Sequence, residues 1–445
     1  MKLAQIPAEP PAKDSRGRVA TAVRALRHPN YRLWFFGQGF SLIGTWMQSM
    51  AQQVLVYRLT GSAVALGLVS LMMVLPLIPF GLWGGSLADR APKRTIILVT
   101  QTLMMLQAFT LAGLIWTDAV QIWHVYVMAF LLGMFKAVDM PARQSFVIEM
   151  VEGKSDLTSA IGLNSAMHNT AKTIGPVLAG VFVALLGEAV AFFLNGLSFF
   201  AVILSLLSMR NLSSSPKQKE SHPSTGTHMI EGIRYLRGQQ ILLILMSLVA
   251  VNSFLSRPYQ TFLPVFASNT LKESAMPMVA FLCTEKVQIL HCQAPEAIPL
   301  GLLLSAVGVG AVTGAFLVAS LSETARRGQM LTLGNLCFPL FLLMFVNSHS
   351  MGVSMLLMIL VGMSQVFQNA MANTLLQLNT PDVLRGRVLS LYSLVSHGMT
   401  HLGGLQAGVT ADQIGAPFSI GVGATFSLLY GSFIALRFRQ VRTLS

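Results

Sequence analysis

Residues 84–96 read GGSLADRAPKRTI, a short polar and basic passage set between long apolar stretches at about 62–87 and 95–116. Crossing a bilayer takes roughly 20 predominantly apolar residues. The passage therefore reads as a turn between two membrane spans, with its basic residues marking one side of the membrane. An echo follows far down the chain, where LSETARR at 321–327 again places an acid before a basic pair after an apolar stretch. A second pair of segments, PARQSFVIEMVEGKSDL at 141–157 and NTPDVLRGRVLSLYS at 379–393, also falls at matching places. The chain thus reads as two halves built on one plan, as in transporters whose repeats rock about a site near the midplane.

Working outward, apolar stretches mark twelve spans at about 32–57, 62–87, 95–116, 122–142, 159–186, 189–209, 240–267, 298–320, 330–346, 351–376, 388–410 and 417–436. With the N-terminus inside the cell, 24 of the 30 Lys and Arg residues fall on the inner side, and the outer loops hold only Arg58, Lys272 and Lys286. That skew supports the even span count and places both termini in the cytoplasm. The polar stretch NLSSSPKQKESHPSTGTH at 211–228 has no periodicity and reads as a flexible linker. The expected organisation is a basic N-terminal segment 1–30, a six-helix bundle 31–210, a cytoplasmic linker 211–239, a second bundle 240–437 and a tail 438–445.

Composition agrees, with 53% of residues hydrophobic and only 11% charged. A soluble domain carries roughly 25% charge, which excludes an ordinary cytosolic enzyme. A formal charge of +13 would point to nucleic acid in a soluble protein; here it follows from the one-sided loops, and no nucleic-acid partner is expected. The first 30 residues lack the apolar core of a cleaved signal peptide. Arg16 to Arg27 with Val19, Val23 and Leu26 instead read as a basic amphipathic helix on the inner leaflet. There is no phosphate loop ending in Lys-Ser or Lys-Thr, no GxSxG, no HExxH and no zinc-ligand spacing. No enzyme activity, cofactor or structural metal is expected.

Within 84–96, Gly85, Asp89, Arg90, Lys93 and Arg94 match the loop 2–3 signature of the major facilitator superfamily, with Pro92 where that family usually has Gly. The strings LRHPNYRLWFFGQ, DMPARQSFV, GLNSAMHNTAKTIGPVLAG, FLNGLSFF, EGIRYLR, RPYQTFLPVFA and RGRVLSLYS resemble the bacterial exporter branch described as transmembrane secretion effectors, over about residues 26–437. The resemblance implies an all-α membrane protein with twelve transmembrane helices in two pseudo-symmetric six-helix bundles. It also implies a conformational latch at the 84–96 signature, export as the direction and protons as the coupling ion. Gly175, Pro176 and Gly180 resemble the antiporter motif of drug-exporting facilitators. There, small residues allow close helix packing and Pro removes one backbone hydrogen bond; a structural kink without a part in coupling is the alternative. In the resembled branch the segment after PVFA is usually a short loop, whereas here 269–299 is longer and holds Cys283 and Cys292. A bridge on the oxidising outer side and an interfacial PMVAFLC with two free thiols both stay open.

Ionisable groups inside spans are costly and mark function. Span 4 carries Lys136, Asp139 and Arg143 along one stripe. Asp139 is the leading proton-coupling residue; a permanent ion-pair ladder is the alternative. Span 5 places Lys172 near the bilayer centre, with His168 one turn away and Asn169 beside it, as an anion-contacting or proton-responsive patch; a Lys172 that only bonds helix-end carbonyls of the other half is the alternative. Aligning Gly133 with Gly362 sets Gln365 opposite Lys136 and Gln368 opposite Asp139, with Asn369 nearby. Gln48 and Gln52 in span 1, and Asn252 and Arg257 in span 7, are the other polar groups placed near the candidate cavity, with an interhelical hydrogen bond as the alternative for each. Such a chamber, charged on one wall and amide-lined on the other, suits an amphiphilic molecule.

The sequence reading is a monomeric multi-pass exporter of the bacterial cytoplasmic membrane, carrying a siderophore, drug or metabolite by alternating access. A lysophospholipid translocator, and a membrane sensor or scaffold that no longer transports, are the alternatives.

Overall fold

The computed structural model describes residues 23–77, 79–81, 84, 87, 91–151, 153–210, 225–283, 292–321 and 326–444. The secondary structure is entirely helical among these residues. The first half holds α1 (Pro29–Thr60), α2 (Ala63–Val74), α3 (Lys93–Trp116), α4 (Ile122–Glu149), α5 (Lys154–Leu186) and α6 (Glu188–Ser208). After α7 (Thr225–Arg237) come α8 (Gln240–Leu255), α9 (Tyr259–Val265), α10 (Lys272–Leu282), α11 (Ala297–Leu321), α12 (Arg327–Val346), α13 (Met351–Leu378), α14 (Asp382–Ile414), α15 (Ala416–Arg437) and the short α16 (Arg439–Thr443).

Ten helical stretches among the described residues are long and apolar enough to cross a membrane, α8 and α9 counting as one. The two exceptions, α1 with 32 residues and α14 with 33, have the length but are more polar. In α1 the polar residues Gln38, Ser41, Gln48 and Gln52 are buried against other helices rather than set against lipid, whereas α14 keeps Ser393 and His397 exposed. In a bilayer a helix can carry such residues only where protein or water covers them.

Helix pairs repeat between the halves. In the first, α1 packs on α5 and α6, and α3 on α4 and α6; in the second, α12 packs on α13 and α15, and α8 on α14 and α15. Glycines permit the closest crossings. A Cβ on Gly133 of α4 would stand 2.0 Å from the Met73 carbonyl of α2, and one on Gly362 of α13 would stand 2.2 Å from the Val307 carbonyl of α11. The two glycines aligned in the sequence thus make the same crossing, with backbones touching where side chains would hold them apart. Two pseudo-symmetric bundles result, as the major facilitator fold requires.

Between the halves, α5 packs on α11 and α2 on α14. These joins lie from mid-span toward one end. At that distal end Asp412 accepts hydrogen bonds from Ser62 Oγ and the Ala63 N–H, both 2.6 Å, and so caps α2 from the other half. Asn269 donates to Tyr57 (3.0 Å), and the Gln293 N–H to the Ala184 carbonyl (2.8 Å). The opposite, basal end carries the described ends of the chain, where Asn30 meets Arg210 and the Gly328 N–H reaches the Leu444 carbonyl.

Two loop expectations change. The linker expected over 211–239 contains α7, whose Glu231 pairs with Arg387 and whose Gly232 lies against Leu391, so its C-terminal part is a helix docked on α14. Residues 211–224 lie outside the described residues. In the long loop 269–299, Lys272–Leu282 is helical and Cys283 is bonded to Cys292, which decides between the two readings left open above. Of the expected basic amphipathic helix at Arg16–Arg27, only the part from Val23 is described. It holds a 3-10 turn, Arg24–Arg27, whose Arg24 pairs with Asp156 at 2.7 Å.

Candidate functional site

The inner faces of α4, α5, α8, α9 and α14 bring the ionisable groups together. Asp139, 5% exposed, sits where α4 crosses α3. One carboxylate oxygen accepts from Thr100 Oγ1 (2.7 Å) and Gln101 Nε2 (3.2 Å), and the other from Arg143 Nε (2.7 Å) and Nη2 (2.5 Å). Arg143 also donates to Gln38 of α1 and lies over the Trp34 ring, 5.4 Å from its centroid. Spacing of four residues brings Asp139 and Arg143 onto one stripe of α4. Thr100 and Gln101 of α3 and Gln38 of α1 were not legible from that spacing, because only tertiary packing brings them there. Lys136, on the preceding turn, stands within the fields of both Asp139 and Arg143.

On α5, His168 is exposed and within electrostatic reach of Arg143, and Lys172 is half-buried over the Trp46 ring of α1, 5.8 Å from its centroid. Asn169 is partly buried beside them. Lys172 in turn feels Arg257 of the second half. Arg257 occupies the break between α8 and α9. Pro258 has no N–H to continue the helix, and the Ser256 and Arg257 N–H groups both turn to the Asn252 carbonyl (3.0 Å each). The guanidinium donates to Ser396 Oγ of α14 (2.6 Å) and Ser253 Oγ (3.3 Å).

Two residues absent from the sequence reading adjoin Arg257. His397 is exposed, and His401, one turn on, binds Ser70 Oγ of α2 at 2.5 Å across the halves and lies within the field of Arg257. Their spacing of four in SHGMTH, within a polar span, was the available signal. Tyr392, a third, donates from its hydroxyl to the Asn369 carbonyl (3.2 Å).

Other expected cavity residues are engaged elsewhere. Gln48 donates to Gln107 Oε1 (3.3 Å) and accepts from Asn195 Nδ2 (2.6 Å), a buried amide chain joining α1, α3 and α6. Asn252 donates to Asn335 Oδ1 of α12 (2.9 Å) and is fully buried. Both side chains are taken up in interhelical bonds, the alternative the sequence leaves open for them. Gln52, Gln365 and Gln368 are buried, and Gln368 lies against Gly334 of α12.

The packing glycines lie at crossings. Gly175 rests on α1 at Trp46 and the Ile43 carbonyl, while Gly180 and the Pro176 carbonyl meet Gly301 of α11 in the other half. Of the signature after span 2, Gly85, Asp89 and Arg90 lie outside the described residues. Lys93 pairs with Glu149 at the end of α4, and Arg94 donates to the Leu207 carbonyl (3.2 Å), so these two tie the first half together.

Long helices in two pseudo-symmetric bundles, with ionisable groups on their inner faces, define a polytopic membrane transporter of the major facilitator superfamily. The chain matches the transmembrane secretion effector family over residues 20–444 and belongs to it. It is 23% identical over 406 residues to the staphyloferrin A transporter of Staphylococcus aureus, covering 91% of this chain and 94% of that one. The enterobactin exporter EntS of Shigella flexneri is 23% identical over 398 residues, 89% and 86% of the two chains. Among solved structures, the nucleoside transporter NupG superposes with a TM-score of 0.66 at 14% identity, covering 92% of this chain and 98% of that one. A bacterial homologue of the lysosomal transporter Spinster, solved inward-facing and unoccupied, gives 0.68 at 13%, covering 94% and 98%. These structural likenesses are of fold alone.

Proposed function

We propose that this protein exports a small amphiphilic molecule across the bacterial cytoplasmic membrane by alternating access, acting as a monomer with both termini in the cytoplasm. The observation that carries the reading is the asymmetric join between its halves. Hydrogen bonds and glycine crossings link α5 to α11 and α2 to α14 from mid-span to the distal end. Toward the basal end, α5 and α14 instead carry exposed polar groups, among them Ser165, His168 and His397. A chamber closed on the outer side and open to the cytoplasm is the loading state of an exporter. Opening outward requires the distal bonds of Ser62, Ala63 and Tyr57 to part while the basal turns close.

In this reading residues 31–210 and 240–437 are the two rocking bodies, 211–239 is the cytoplasmic connection, and Gly85, Asp89, Arg90, Lys93 and Arg94 form the latch. Pro176 and Gly180 let α5 pivot on α11, while Gly175 seats α5 on α1. Siderophores are favoured as cargo by what the staphyloferrin A transporter and the enterobactin exporter are named for. Inward proton movement is the proposed drive, with Asp139 as its carrier; taking a proton would cost this carboxylate its ion pair with Arg143 and turn one of its oxygens into a donor.

Accumulation in a strain lacking other exporters tests the reading. Expression should lower the intracellular level of a secreted siderophore, and a protonophore should reverse the effect. Unchanged levels across a panel of siderophores, drugs and metabolites would refute export, and reporter fusions placing 211–239 outside the cell would refute the orientation.

A further inference from the structure

In the span plan, 24 of the 30 Lys and Arg residues fall on the inner side and three in the outer loops, leaving Lys136, Lys172 and Arg257 inside the spans. Among the described residues none of these three forms an ion pair. Their close partners are neutral: the Trp46 ring beneath Lys172, and two serine hydroxyls for Arg257. The acid in their midst, Asp139, has both oxygens occupied by Arg143, Thr100 and Gln101. A cation at the centre of a membrane costs at least about 2.5–3.5 kcal/mol on insertion scales, and neutral contacts offset only part of that. The chain leaves the missing negative charge to be supplied by something that enters.

We propose that the chamber binds an acidic molecule carrying at least two carboxylate-type anionic groups, which bridges Lys172 of the first half and Arg257 of the second. The inference rests on the transporter reading of the same chamber and deepens it by naming the substrate class. Lys172 and Arg257 stand on different halves within reach of each other's charge, and the close partners of both are neutral. A dianion between them attracts both and draws the halves together around the cargo, a differential contact of the kind a ligand needs to shift a two-state equilibrium. His401 lies on the same wall within the field of Arg257, while the Nδ1–H of His397 is already given to the Ser393 carbonyl (2.9 Å). Arg143 is already neutralised by Asp139 and is left to position that wall.

Trp34 and Trp46 lie beneath Arg143 and Lys172, which makes tryptophan fluorescence of the purified, detergent-solubilised full chain the readout. Citrate and isophthalate are the anionic probes, and tetraphenylphosphonium is the cationic control. Saturable quenching by the anions, weakened by added salt and absent with the cation, is expected. Lys172→Gln and Arg257→Gln should each lower anion affinity about tenfold, the loss of one charge-assisted contact, and Lys172→Arg should restore it. Size-exclusion elution as for the unsubstituted chain shows that each variant is folded. Equal binding of cation and anions, or glutamine variants that bind as the unsubstituted chain does, would overturn the proposal. A parallel accumulation assay keeps the two readings apart. Efflux of cationic dyes without efflux of organic acids leaves the transporter standing and sinks the anion site; no efflux of any compound sinks the transporter, and the fluorescence titration alone then decides the site.

Discussion

The crossing of α3 with α4 and that of α12 with α13 occupy equivalent places in the two halves, and they differ in one respect. At the first, Asp139 gathers Thr100, Gln101 and Arg143. At the second, the aligned Gln368 presses on Gly334 with its Oε1 buried and unbonded. Backbone packing is shared, down to Gly133 and Gly362 meeting a carbonyl at nearly the same distance. Buried amides are shared too, as Gln48–Gln107–Asn195 in one half and Asn252–Asn335 in the other. Charge is not. The architecture follows from what the repeats hold in common, while the chemistry sits where they diverge, with a satisfied ion pair on one wall and an unpaired arginine on the other.

The largest effect is expected at the ion pair. Asp139→Ala removes the counter-ion of Arg143 and should cost about 3–5 kcal/mol, the usual penalty for breaking a buried pair from one side. It should appear as a lower thermal midpoint and poor yield of folded protein. Gln368→Ala should cost less than half as much, and Asp139→Asn combined with Arg143→Gln should recover part of the loss. Equal costs for Asp139→Ala and Gln368→Ala would erase the distinction between the halves.

Next come the shared crossings. Gly133→Leu and Gly362→Leu each force a side chain into a backbone carbonyl and should destabilise by about 1–3 kcal/mol or more. Chemical denaturation in mixed micelles should find the two alike; a large difference would break the pseudo-symmetry. Smaller still are the amide bonds. Gln48→Ala and Asn252→Ala should each cost about 0.6 kcal/mol and no more than about 1.7, as interhelical hydrogen bonds in membranes do, with efflux retained because neither faces the chamber. The smallest change is expected at the basal Arg387–Glu231 pair, whose acid is 41% exposed. Glu231→Gln should shift stability by about 0.2–1 kcal/mol, diminishing with salt.

The span plan was legible because lipid imposes it. Apolar runs, one-sided basic loops and the echo of 84–96 in 321–327 are long-range signals written in composition. Stripes on single helices were legible as well, since Lys136, Asp139 and Arg143 follow from spacing alone. What spacing cannot show is which neighbour a buried amide finds. Gln48 and Asn252 look like cavity residues until α3, α6 and α12 supply their partners. Helix α7 was obscured by a polar passage immediately before it; its order comes from docking on α14 through Glu231 and Arg387 rather than from an apolar run. His397 and His401 lie on α14, one of the two long helices more polar than the other spans, and their spacing of four is the signal the sequence holds.

The lone Arg257 at the break of the seventh span also bears on energy supply. For a cytoplasm held negative, each negative charge carried outward releases about 2.3 kcal/mol per 100 mV, as much as the electrical part of one proton entering. A doubly charged cargo released from between Lys172 and Arg257 would thus bring its own battery, and the resting voltage alone would push the cycle in the direction of secretion.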